Sequence, residues 1–117
     1  GIDCQRCHGP GSEHVKTQKA AAIVNPQRLS RERSLEVCMQ CHLETTSFPL
    51  PNSLVRAGRG AFSYQPDEPL DNFAVHFDHA RGSGREGKFE IVSSVYRLRQ
   101  SKCFTASDKL QCTTCHD

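Results

Sequence analysis

Residues 30–42 read SRERSLEVCMQCH, and the fold turns on how this stretch is read. Ser30 is a residue type that caps helix N-termini, because its hydroxyl accepts from a backbone N–H the helix leaves unpaired. Beyond it, Leu35, Cys38, Met39 and His42 recur at three- and four-residue intervals. That spacing puts them along one face of a helix. The predicted helix therefore ends by presenting two thiols and an imidazole together.

The same five-residue pattern occurs at two other places. Cys4-Gln5-Arg6-Cys7-His8, Cys38-Met39-Gln40-Cys41-His42 and Cys112-Thr113-Thr114-Cys115-His116 take up six of the seven cysteines. Cys-x-x-Cys-His is the attachment signature of c-type haem. Two thiols add to the two vinyl groups of one macrocycle, so their separation is fixed. The next residue then points an imidazole at the iron. Zinc sites draw four ligands from two such pairs and give no reason for a His after each. A disulfide framework gives none either, and a thioredoxin-like redox pair is expected once, near a βαβ pattern. Three covalently attached haems are expected, held by Cys4, Cys7, Cys38, Cys41, Cys112 and Cys115.

The chain has six His. His8, His42 and His116 are the proximal ligands of the three motifs, leaving His14, His76 and His79 for three distal positions. The lone Met, Met39, sits inside the second motif and is badly placed to reach its own iron. Bis-His ligation at all three irons is therefore expected. Such iron lacks the potential-raising Met ligand, and low potentials follow. Full coordination leaves no open position for a substrate, which favours electron transfer over catalysis. Gly9-Pro10-Gly11 turns the chain between His8 and His14. His14 is thus expected to bind the iron of a neighbouring haem. His76 and His79, if helical, share a face and serve two adjacent irons only where their side chains diverge. Otherwise one of them is a surface residue, or ligates a haem in another copy of the chain.

Apolar residues make up only 36% of the 117, and Trp is absent, so an unaided core would be thin. Bound macrocycles would supply the missing apolar volume. The net charge of +2 argues for no polyanion, and no nucleic-acid partner is expected. Arg28, Arg31, Arg33, Arg97, Arg99 and Lys102 are read first as a solvated face, and second as docks for haem propionates. No apolar run approaches transmembrane length. No signal peptide is visible, and a chain that reaches Cys4 at once is read as processed or partial. Cys103, the odd cysteine, is expected as a buried free thiol, with an intermolecular disulfide or an iron ligand as alternatives.

The expected organisation is a single trihaem domain over residues 1–117, mainly α with extensive loops and organised around the haems. Residues 1–14 are expected as a haem-binding turn and 15–25 as a short helix stopped at Asn25-Pro26. Residues 43–72 are read as mostly loop, 81–87 as glycine-rich and flexible, 88–100 as a helix with a strand as the alternative, and 101–111 as a connector with a capped turn at Ser107 or Asp108.

The stretch CQRCHGPGSEHV, residues 4–15, resembles the CxxCH-GPG-x-x-H-V element of multihaem cytochromes related to the tetrahaem cytochromes of nitrifying bacteria. SLEVCMQCHLETTS, EPLDNFAVHFDHA, KFEIVSSVYRLRQSKCF and CTTCHD resemble multihaem cytochromes c of environmental bacteria, often fused to tetratricopeptide repeats. The resemblance implies that His14 serves as a distal ligand to another haem. Family members usually continue with Pro-His after a motif like CTTCHD, and this sequence ends at Asp117.

The expected function is electron transfer by a periplasmic or extracellular carrier, its low-potential haems forming a short wire. Other redox proteins or cytochromes are the expected partners. One version is a repeating subunit of a homo-oligomer or filament with stacked haems. The alternative is a reductase of small nitrogen or sulfur oxyanions with one open haem. An enzyme is the less favoured reading.

Overall fold

The computed structural model describes residues 2–43, 53–84 and 94–116. Among these residues the longest element is helix α3, Arg31–His42; two short helices precede it, α1 at Cys4–His8 and α2 at Ser12–Thr17. After it come strand β1 (Ser53–Val55), helix α4 (Leu70–Phe73), strand β2 (Ala74–His76), and helices α5 (Ser94–Gln100) and α6 (Lys102–Thr105). Three 3-10 turns, Ala20–Ala22, Pro26–Arg28 and Cys112–Thr114, fill the connections.

The start of α3 follows from its cap. The Ser30 hydroxyl accepts from the Arg33 N–H, as its position before the apolar spacing predicts. Within α3, Leu35, Val37 and Met39 are buried. Leu35 and Met39 join Tyr64, Leu70, Phe73, Ala74 and Val95 in one core cluster, with Leu43, Leu98, Phe104 and Cys112 packed against it. Tyr64 and Phe73 meet edge to face, their ring centroids 5.7 Å apart. Full burial of a side chain such as Leu35 contributes about 1.5–3 kcal/mol. Eight apolar side chains are buried among the described residues. Met39, committed to this cluster, has its thioether in the core.

Several expectations change here. Residues 15–25 are not one helix. Helix α2 stops at Thr17, where Gln18 takes a left-handed conformation (φ 56°), and the 3-10 turn Ala20–Ala22 follows. The chain does halt at Asn25-Pro26, where the Asn25 side chain accepts from the Gln27 N–H. The segment expected as loop contains β1, which pairs antiparallel with β2 in the register Ser53–His76, Leu54–Val75 and Val55–Ala74. It also contains a polar knot. The Arg59 guanidinium donates to both carboxylate oxygens of Glu68 (2.5 and 3.0 Å), to the Ser63 carbonyl (2.6 Å) and to the Asn72 carbonyl (3.2 Å). This pairing holds the Glu68 carboxyl below its ordinary range. The helix expected over 88–100 is seen over Ser94–Gln100, and 88–93 lie outside the described residues, as do 85–87 of the glycine-rich stretch. The connector carries α6, and the Ser107 hydroxyl accepts from the N–H groups of Lys109 and Leu110.

The basic residues are not all solvated. Arg31 lies over the Phe104 ring at 3.9 Å and donates to the carbonyls of Leu110 (3.0 Å) and Phe104 (3.3 Å). It ties the start of α3 to the segment that leads into the third motif. Arg33 pairs with the buried Glu36 one turn along. Cys103, expected to be buried, is exposed. On the four-residue α6 only one side can face the core, and Phe104 occupies it beneath Arg31.

Candidate haem-attachment site

Each motif is held on a helical turn. In α1, Cys4, Cys7 and His8 stand at positions i, i+3 and i+4, on one face. Asp3 caps that helix by accepting from the Arg6 N–H at 3.2 Å. Gly9 ends it at φ 73°, a conformation that favours glycine. Cys38, Cys41 and His42 repeat the arrangement on the last turn of α3. The third motif begins on the 3-10 turn Cys112–Thr114, where side chains at i and i+3 eclipse. Cys115 and His116 both donate backbone N–H groups to the Cys112 carbonyl (3.2 and 3.1 Å), so the turn continues to the histidine.

The fold brings the three motifs together. Cys7 and His8 of the first, Cys38 of the second and Cys112 of the third line one cavity of about 550 Å³, walled also by Leu35 and Val37 of α3. Burial, and after it the neighbouring Cys112, Cys7 and Cys41 sulfurs, pushes the Cys38 thiol up to about 12. As a free group it stays protonated at neutral pH. All six motif cysteines are free thiols. Cys4, Cys41 and Cys115 are exposed, as are His42 and His116, so the far side of each motif opens to the surface. Among the described residues, no group of three or more His, Cys, Asp or Glu side chains converges to hold a lone metal ion.

The histidines carry the most telling geometry. His8 Nδ1 lies 2.8 Å from the Val24 carbonyl oxygen. His14 Nδ1 lies 2.9 Å from the Lys19 carbonyl oxygen. A carbonyl can only accept, so both rings carry their proton on Nδ1. In the neutral ring this arrangement leaves the lone pair on Nε2, and a hydrogen bond behind a metal-binding ring is what fixes its tautomer. His79 Nε2 is buried and has no hydrogen-bond partner among the described residues. A polar nitrogen left so is costly unless something absent from the free chain satisfies it. An iron ligand role fits that vacancy in bonding.

His76 and His79 do not share a helix face. His76 ends β2 and His79 follows three residues later in irregular backbone. The reason is that α4 lasts only four residues before Ala74–His76 pairs with β1. The two rings thus leave the chain from different kinds of backbone. His76 is half-buried and lines a cavity of about 360 Å³ with Met39, Leu43, Leu70, Asp71 and Arg99. Burial pushes its imidazole below the ordinary His value, with Asp71 opposing the shift. A neutral ring is the form that can bind a metal. Sequence reading did not anticipate the carbonyl partners of His8 and His14, nor the Arg31 tie to Phe104 and Leu110. Backbone acceptors leave no trace in residue identity.

Compared with protein-family models, curated proteins and solved structures, the chain matches none. No helix among the described residues is long and apolar enough to cross a membrane.

Proposed function

We propose that this chain is a trihaem c-type cytochrome whose work is electron transfer. The observation that carries the reading is the convergence of the motifs. They stand 34 and 74 residues apart in sequence, yet a cysteine from each lines one cavity. Haem, when bound, supplies a one-electron iron couple inside an apolar macrocycle. The chain's own part is attachment, orientation and exclusion of water. Cys4 and Cys7, Cys38 and Cys41, and Cys112 and Cys115 would hold the three groups. His8, His42 and His116 would ligate from the attachment side, with His14, His76 and His79 as distal ligands. Leu35 and Val37 would wall the shared cavity with apolar surface.

Motifs that share a cavity would hold their cofactors near one another. The exposed Cys41 and Cys115, with His42 and His116, would leave cofactor edges near the surface. Another cytochrome, a soluble redox protein or a second copy of the chain then has an edge to meet, and a filament of stacked copies is one such arrangement. Covalent haem attachment belongs to oxidising compartments such as the bacterial periplasm, so a periplasmic or extracellular location goes with the reading.

The test is production in a host that attaches c-type haem, followed by intact mass and a pyridine haemochrome spectrum. Three haems per chain are expected, and fewer would overturn the reading. Carbon monoxide added to the reduced protein then separates carrier from reductase. An unchanged low-spin spectrum is expected of a carrier. A bound fraction would mean an open iron and favour the oxyanion-reductase reading.

A further inference from the structure

We propose that residues 19–24 form one brace that sets the ring orientation of two iron ligands, His8 and His14, on two different haems. The proposal rests on the trihaem reading and adds a coupling that attachment motifs alone do not imply.

The brace is a closed circuit of hydrogen bonds. The Val24 N–H donates to the His8 carbonyl (3.1 Å), while the His8 ring donates back to the Val24 carbonyl (2.8 Å). Backbone and ring of one histidine are thus both held by one residue sixteen positions on. At the other end, the Lys19 carbonyl accepts from the His14 ring (2.9 Å) and from the Ala22 N–H (3.0 Å). The second of these closes the 3-10 turn Ala20–Ala22 that joins the two acceptors. The Lys19 and Val24 carbonyls are therefore set relative to one another by that turn. Ala21, Ala22, Ile23 and Val24 also wall an open trough of about 680 Å³ beside His8, an apolar surface suited to a macrocycle face.

The chemistry gives the brace its effect. In the haem-loaded protein, an imidazole ligating through Nε2 would be a stronger donor at Nδ1. The carbonyl behind it then strengthens the ligand, as outer partners of metal-bound histidines do. One short turn thereby tunes two irons at once. A change in its length must move both carbonyls relative to the rings.

Two measurements on the haem-loaded protein test this. In the reduced, diamagnetic state, the His8 Nδ1 proton should show nuclear Overhauser contact with Val24 Hα, and the His14 Nδ1 proton with Lys19 Hα. Absence of either contact overturns the brace. Second, one glycine is inserted after Ala21, with an insertion after Gly82 in the exposed turn 81–84 as control. The expected result is a shift of two of the three low-spin haem signals in electron paramagnetic resonance, the third staying in place and the control leaving all three unmoved. One, none or three shifted signals, or the same two shifted by the control, overturn it. The haem count of the unaltered protein is read alongside. A count below three defeats the trihaem reading, whereas three haems with the wrong number responding defeat only the brace.

Discussion

The first and second Cys-x-x-Cys-His motifs carry the same spacing but rest on different physics. The first lies on five-residue α1, none of whose residues is buried. Its histidine is held by hydrogen bonds to a loop. The second ends twelve-residue α3, which buries Ser34, Leu35, Glu36, Val37 and Met39. It is held by packing. The difference teaches that a motif can be positioned either by directional polar contacts or by a helix anchored in the core. The first kind answers to geometry, the second to volume.

That contrast can be attacked. Leu35→Ala should have the largest effect, about 2–5 kcal/mol, because it empties the core beneath the second motif. Chemical denaturation of the haem-loaded protein reads it. A loss below 1 kcal/mol, by the same scale, would mean that packing does not hold α3. Arg31→Ala should cost about 1–3 kcal/mol through its two hydrogen bonds to Phe104 and Leu110. Arg31→Lys should recover only part of that, since an ammonium cannot copy the planar fork. Full recovery would reduce the tie to simple charge. Asp3→Ala should be the mildest, about 0.5 kcal/mol, since it removes an exposed cap from a helix with no buried residue. Were it to cost as much as Leu35→Ala, the contrast between the motifs would collapse.

What could be read from residues alone follows the same division. Ser30, Leu35, Met39 and the second motif announced α3, because cap and periodicity agree along twelve residues. The three Cys-x-x-Cys-His motifs were legible from spacing, and the proposed haem attachment rests on them. Less was visible where backbone groups decide. His76 and His79, three apart, suggested a helix face, but pairing of Ala74–His76 with Ser53–Val55 overrode local spacing. Cys103 looked buried by residue type, yet on a four-residue helix the choice between Cys103 and Phe104 belonged to Arg31, distant in sequence. The knot around Arg59 and Glu68 was hidden in a stretch whose glycines and prolines read as loop.

The tie from Arg31 to Leu110 joins groups 79 positions apart. Closing so long a loop costs conformational entropy that a local contact such as the Ser30 cap avoids. Contacts of this kind form late in folding and open early in native fluctuations, well before the helix they leave behind. Release of that tie frees the segment leading into the third motif from the start of α3. Hydrogen exchange should find the backbone near residue 110 opening while α3 stays protected.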